Sequence, residues 1–570
     1  MMPMKRASFL HFLPILGIIL ISMTLRSLEL DSESVWYDEA ASWSTATNSI
    51  SGIWSDRTFP PFYHLLLHFW LQVGHSEFVL RLPSVFFGVL SVAAIYQLGR
   101  KLCNNEIGLL SAFLLTISPL HLRYSQEARM YIPLMFFTIA SSYFFWNAWH
   151  EGNRSNWTAY VIFSMLNLYT HYFAISVWLA HNLFALTWLI FHPDEQNAYR
   201  VNERRNGPGQ QGTIDQKLIS IGKNLKAYLL IVLNPIPHLR NPENHRLRYW
   251  IISQFSILLL VTPCLVKLLL YHNNGMGGVL ATVFGGSPNV RTPLDIAISF
   301  SLGPGVRSLL PILVRRGIYV LISVSCLLGV FNIKREHDLR SLSLSASGMF
   351  ILTCFVAPIV AVLGALWCYK RTFSLRYVVA FLPFFHLMIS AGILNIPKAS
   401  LQIAAVFALT AVSIFGLRQE YMHDYKENWR EATRYIVSHW QEGDALCFVP
   451  AWEKIGFRYY AGYDFDYAIQ QPPPVYDPEQ VANALQDPRW SQYERMWLVQ
   501  GLNSHKAVDP EQAIKSGMDK YWHPLDVQKF RGIGKIVLYS IPDPGINAEL
   551  LLHTTARAEY HKRFSTVKVK

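Results

Sequence analysis

The feature that most limits what this chain can fold into is a succession of apolar runs about 20 residues long, enough for a helix to cross roughly 30 Å of hydrocarbon. Eleven apolar runs, the third and fifth of them short, lie near residues 9–28, 79–98, 107–120, 130–149, 157–171, 172–191, 248–270, 309–331, 344–366, 377–394 and 401–417. In lipid no water satisfies the backbone, so each run predicts a helix that closes its own hydrogen bonds. Thr170, His171 and Tyr172 divide the 157–191 stretch in two. Lys5 and Arg6 precede the first run, but no small-x-small cleavage pattern follows Leu28, so the run predicts a retained anchor rather than a signal peptide. Composition agrees: of 570 residues 51% are hydrophobic and only 15% charged, where soluble chains carry about 25% charge. Six cysteines in that length exclude a disulfide scaffold.

The net charge of +12 would suit nucleic acid, but its distribution points to anionic lipid headgroups instead. With the N-terminus in the cytoplasm, Lys5, Arg6, Arg100, Lys101, Arg154, Lys334, Arg335, Arg340, Lys398 and a basic insert at 192–247 all fall inside, as the positive-inside rule requires. An odd number of spans then sends the C-terminus outside. Three segments fall on the outer face: 30–78, 271–308 and 418–570. The chain thus divides into a membrane domain, 1–417, and an extracytoplasmic domain, 418–570. The latter opens with Trp429, Ala432, Tyr435, Ile436, His439 and Trp440 at helical spacing, followed by strand-like runs at 445–449, 496–499 and 535–541. The expected fold is a polytopic, mainly α membrane protein with a small C-terminal α/β domain.

The chemistry-bearing residues gather in the outer loops. The first loop carries Trp36-Tyr37-Asp38-Glu39 shortly after the membrane exit, with aromatic residues that favour the headgroup level. The same loop continues with Thr58-Phe59-Pro60-Pro61-Phe62-Tyr63-His64, in which Pro-Pro forces extended backbone before an interfacial helix, and closes on Arg81-Leu82-Pro83-Ser84. The next outer turn reads Tyr124-Ser125-Gln126-Glu127-Ala128-Arg129-Met130-Tyr131, and a later one holds Lys370, Arg371, Arg376 and Tyr377. Ionisable groups at this depth are costly and are usually paired or functional. Each has a bland reading beside the functional one. The acidic pair suits the start of an amphipathic helix. Arg129 can neutralise Glu127, Arg376 can anchor a helix at the headgroups, and His64, His121 and His171 can be polar fillers.

Taken in this order, these motifs resemble the GT-C superfamily of membrane glycosyltransferases. They are closest to its family 39-like group, which includes protein O-mannosyltransferases and the aminoarabinose transferase of lipid A. The resemblance covers most of the membrane portion: Trp36-x-Asp38-Glu39, the Pro-Pro-Phe-Tyr-His stretch, Arg81 to Ser84, Tyr124 to Tyr131, and Arg376-Tyr377 followed by Pro383. Trp429-Arg430-Glu431-Ala432 looks like bacterial members.

The resemblance implies transfer of a sugar from a polyprenyl-phosphate carrier to an acceptor hydroxyl on lipid, glycan or protein, with inversion, at the outer face of a bacterial plasma membrane. It implies Asp38 as general base, with Glu39 and Glu127 as neighbouring carboxylates that tune it. Arg129 and Arg376 would bind the departing phosphate, with Lys370, Arg371 and Tyr377 in support, because a guanidinium fork matches two phosphate oxygens. Tyr37, His64 and His171 would line the acceptor and sugar pocket. Some members bind a divalent ion through a carboxylate just before the proline of the first loop. Here Arg57, Thr58 and Phe59 occupy that place, so no metal ligand is assigned there; the functional reading of His64, His121 and His171 is a divalent metal site with Glu39 or Glu127, which the sequence does not require. Two other classes fit the same spans: a transporter or flippase of a lipid-linked saccharide, and an inactive relative serving as scaffold. Transporters place ionisable residues near mid-membrane in repeated halves, whereas here they gather at one face. Cys368 and Cys447 both fall outside, and nothing in the sequence pairs them.

Overall fold

The computed structural model describes residues 12–56, 59–191, 245–272, 288–289, 291–303, 310–332, 343–368, 373–471, 478–502, 509 and 512–542. Most of the basic insert, Lys370, Arg371 and the tripled proline at 472–474 lie outside the described residues. Contacts divide the chain into two units. One comprises Met1–Ser32 and Thr45–Asp424, the other Glu33–Ser44 and Tyr425–Lys570.

In the first unit every one of the eleven apolar runs coincides with a helix. Five of the described helices are long and apolar enough to cross a membrane: Glu77–Leu102, Arg246–Lys267, Ile312–Val330, Ala346–Cys368 and Ala399–Met422. A sixth candidate is a broken pair, Asn105–Thr116 and Pro119–Ser125, bent by 63°. The break has a local cause. Ser118 caps the second piece through the His121 N–H, and Pro119 has no N–H with which to continue the first. Carbonyls freed at the break are collected by Arg26, whose guanidinium donates to Thr116 O and Leu115 O, both at 3.3 Å, and also contacts His121 Nδ1. A buried cation so placed replaces the missing helical donors. Helix Tyr131–Glu151 and the shorter helices Leu13–Ser27, Arg154–Thr170, Ala174–Phe191 and Leu382–Leu394 cover the remaining runs. Residues 292–302, expected as outer loop, form a further apolar helix. Helices Ile312–Val330 and Leu382–Leu394 approach most closely at Gly392, where a Cβ would overlap Ser325 O. Small residues permit this, since lipid supplies no hydrophobic drive between helices and packing must come from close approach.

The second unit is an α/β layered domain. Its strands are β1 (Asp444–Val449), β2 (Ile469–Gln470), β3 (Arg495–Gln500), β4 (His523–Phe530) and β5 (Gly534–Ser540), in the order β2-β1-β3-β5-β4. β1 runs parallel to both neighbours, while β5 is antiparallel to β3 and β4. Alternation along β1 and β3 sends Leu446, Phe448, Trp497 and Val499 to one face, against Trp429, Ile436 and Phe457. The opposite face, Ala445, Cys447, Val449, Met496 and Leu498, packs on Val481, Leu485, Ile514 and Met518 from helices Pro478–Leu485 and Ala513–Tyr521. At the start of β1 the buried Asp444 accepts two bonds from Arg495, both at 2.7 Å, and one from the Trp497 indole at 2.8 Å. All six cysteines are free thiols, Cys447 buried within the sheet and Cys368 exposed.

Candidate active site

In the membrane unit, the turn after helix Pro119–Ser125 folds back on itself, with Arg129 N–H donating to Glu127 O at 2.8 Å. That bend buries both side chains, leaving Glu127 7% and Arg129 4% exposed. The Arg129 guanidinium lies over the rings of Phe59, at 5.1 Å, and Tyr131, at 5.7 Å. Aromatic faces of this kind attract a cation through the ring quadrupole. The Pro60-Pro61 step delivers Phe59 and starts helix Phe62–Trp70, which buries Tyr63, His64 and Leu67 as its interfacial pattern predicts. Lys267 Nζ donates to Phe59 O at 2.9 Å. Burial drives His64 down to about 3, and the charges of Arg129 and Lys267 push the same way.

His171 occupies the break predicted at 170–172, between helices Arg154–Thr170 and Ala174–Phe191, and accepts from Phe173 N–H at 3.1 Å. It is likewise lowered to about 3, first by burial and then by Arg129 and Arg376. Tyr377 meets Phe173 edge to face at 5.2 Å, and Arg376 Nε donates to Ser374 Oγ at 3.1 Å. Tyr124, whose ring is 5.7 Å from that of Tyr131, feels the charges of Glu127, Arg376 and Arg123. The structure thus gathers Arg129, Arg376, His64, His171, Glu127 and Tyr377 into one neighbourhood. It adds Lys267, which lies among apolar residues well after Arg248 in its helix. Two neutral imidazoles and aromatic walls around a convergence of cations suit an oxyanion with an apolar or sugar-like attachment. The same cations oppose a metal ion beside these histidines. Among the described residues no three His, Cys, Asp or Glu side chains are grouped to hold one.

The approach of the chain to the first loop is fixed within the same unit. Arg81 donates to Leu30 O at 2.7 Å and Gln126 Nε2 to Leu28 O at 2.8 Å, while Tyr421 bonds Leu25 O. Arg123 grips Glu420 through two bonds, at 2.7 and 3.0 Å.

Asp38 and Glu39 sit in the other unit, in the first turn of helix Tyr37–Ala46. The strip before it is bonded throughout to the C-terminal domain. Val35 N–H donates to Tyr460 Oη at 2.7 Å, Arg430 N–H to Ser34 Oγ at 3.0 Å, and Lys426 N–H to Glu33 Oε1 at 3.0 Å. Trp43 packs edge-on to Tyr459 at 5.3 Å. Glu39 is fully buried and paired with Lys426 Nζ at 3.2 Å, whereas Asp38 is half-buried. Tyr37 offers its backbone N–H to Glu427 Oε2 at 3.0 Å. Glu427, also held by the Trp429 indole at 2.8 Å, has its carboxyl pushed above the usual range by burial, with the Asp38 charge adding to the effect. Lys426, Glu427 and Tyr460 carry no sequence signal beyond their closeness to the Trp429-Arg430-Glu431-Ala432 stretch.

Apolar helices, one pair of them broken, followed in the chain by a small α/β domain make a fold that is similar to that of solved membrane enzymes. Residues 58–201 match the family model described as dolichyl-phosphate-mannose-protein mannosyltransferase. The oligosaccharyltransferase AglB of Archaeoglobus fulgidus, solved with an inhibitory peptide and a dolichol-phosphate, aligns over 95% of this chain and 75% of its own. The TM-score is 0.52 at 11% identity. ArnT of Cupriavidus metallidurans in the apo state aligns over 93% of this chain and 98% of its own, with a TM-score of 0.51 and 11% identity. No curated protein sequence matches the chain significantly.

Proposed function

We propose that the protein is an integral-membrane glycosyltransferase that moves a sugar from a polyprenyl-phosphate carrier to an acceptor hydroxyl at the outer face of a bacterial plasma membrane. The observation that carries this reading is the convergence of Arg129, Arg376 and Lys267 on an aromatic neighbourhood containing two neutral histidines. The family match over 58–201, the GT-C fold, and a fold neighbour solved with dolichol-phosphate support it.

In this mechanism the acceptor oxygen attacks the anomeric carbon on the face opposite the phosphate, giving inversion. Its proton passes to the Asp38 carboxylate as the new C–O bond forms. The bond from the anomeric carbon to the phosphate oxygen breaks, and its electron pair leaves on the phosphate, whose growing charge Arg129 and Arg376 stabilise. The base role falls on Asp38 rather than Glu39, because Glu39 is buried and balanced by Lys426. Glu127 stands beside the cations as a modulator of their charge, and Tyr37, His64, His171 and Tyr377 shape the sugar and acceptor pocket. The acceptor is a lipid, glycan or protein hydroxyl.

Asp38→Asn tests the reading in proteoliposomes with a polyprenyl-phosphate sugar donor. Transfer should fall by more than about 100-fold, the scale of a lost general base, with donor binding retained. Wild-type transfer by that variant overturns the assignment. Movement of labelled carrier between leaflets without a new glycosidic bond would replace the transferase by a flippase.

A further inference from the structure

We infer that Glu427 is a positioning residue for Asp38: its carboxylate, contributed from 390 residues further along the chain, caps the helix that presents the base. This rests on the reading of Asp38 as the base.

The geometry is that of a helix cap supplied from elsewhere in the chain. The first turn of helix Tyr37–Ala46 has N–H groups with no partner inside the helix, and one of them, on Tyr37, donates to Glu427 Oε2 at 3.0 Å. The same oxygen accepts the Trp429 indole at 2.8 Å, and Trp429 is fully buried, so Glu427 is anchored to the core of its domain. Room for it is left by Gly532, whose φ is +76°. A Cβ there would stand 2.8 Å from Glu427 Cγ. One residue away, Lys426 takes Glu39, and its backbone N–H takes Glu33. The adjacent pair Lys426-Glu427 therefore engages the adjacent pair Asp38-Glu39 by different means: an ion pair to Glu39 and a backbone bond beside Asp38.

The charged groups around Glu427 are Asp38 on the first-loop helix, Lys426 and Glu39 in their ion pair, Glu33 in the strip before the helix, and Arg531 on the β4–β5 turn. Arg531 Nε donates to Lys426 O at 3.1 Å. Burial and Asp38 both favour the protonated form of Glu427. As pH falls, Glu427 takes up a proton before an ordinary glutamate would. Protonation weakens the charge-assisted bond to Tyr37 N–H, and Asp38 loses its fixed place.

The experiment compares kcat and KM for sugar transfer by wild type, Glu427→Gln, Glu427→Asp and Asp38→Asn, reconstituted in the same lipid, between about pH 5 and pH 8. Glu427→Gln keeps an acceptor oxygen but cannot titrate. It should lower kcat about tenfold, leave the donor KM unchanged, and move the acid limb of the rate profile to lower pH. Glu427→Asp, which keeps the charge, should recover part of kcat. If Glu427→Gln does not fold, Trp429→Phe takes its place. Loss of the indole bond should lower kcat and move the limb to higher pH. An inactive Asp38→Asn beside a Glu427→Gln of wild-type kcat and unmoved limb overturns this inference and leaves the base intact. An active Asp38→Asn overturns both.

Discussion

Glu427 is half-buried beside Asp38, and the cost of that placement gives a prediction with a definite sign. Its folded pKa lies above the ordinary glutamate value. Such a group contributes most to stability below its unfolded pKa of about 4.3 and loses that contribution as pH rises through the raised value. Ionised Glu427 therefore weighs against the fold at neutrality. The melting temperature of Glu427→Gln, relative to wild type, should rise between about pH 4 and pH 7, and a relative Tm that falls over that range would contradict the burial argument. Activity and stability should thus move in opposite directions in this variant, as expected where a strained group serves function. At this scale the sequence was only partly legible. Arg129, Arg376, His64 and His171 sit in dense polar turns flanked by apolar runs, where any ionisable residue stands out. Lys267 is hard to single out, because one charge among the apolar residues that follow Arg248 in this 28-residue helix barely changes its apolar average. Glu427 and Lys426 lie in a polar stretch where charges are ordinary, and only the fold shows which of them face inward.

Helices were the most readable elements, because lipid forces every spanning segment to satisfy its own backbone. Their interruptions were less so. The 107–120 run reads as one span, yet Ser118 and Pro119 turn it through 63°, and Arg26 from another helix collects the carbonyls left over. In the C-terminal domain, β1, β3 and β5 announce themselves through apolar runs. β4 is mostly half-exposed at the sheet edge and contains Pro524, so neither alternation nor hydrophobicity reveals it. Where two elements meet on a small residue, the packing is testable. Gly392→Ala places a methyl against Ser325 O of the neighbouring helix and should destabilise the membrane unit by about 1–3 kcal/mol. Gly17→Ala, which meets nothing within 4 Å, is the matched control, and equal melting temperatures for the two variants would refute the close crossing.

For the whole molecule, the proposed orientation makes a prediction from two exposed thiols. Cys103 follows a span on the proposed cytoplasmic side, and Cys368 ends one on the proposed outer side. A membrane-impermeant maleimide added to intact cells should label Cys368 and spare Cys103, and the reverse pattern would invert the topology. Apolar runs and basic loops made this plan legible, but the division into units follows a different logic. Residues 33–44 belong to the C-terminal unit, held there by hydrogen bonds with Tyr460, Glu427 and Arg430 that no periodicity encodes. The C-terminal domain therefore lacks one of its own parts in its contiguous sequence. A fragment starting at Tyr425 would leave behind the partners of Tyr460 Oη, Glu427 and Lys426, and should need the 33–44 peptide grafted onto it to become well ordered. During synthesis that strip emerges long before its partners and must wait for them, so completion of this unit is among the last events as the chain matures.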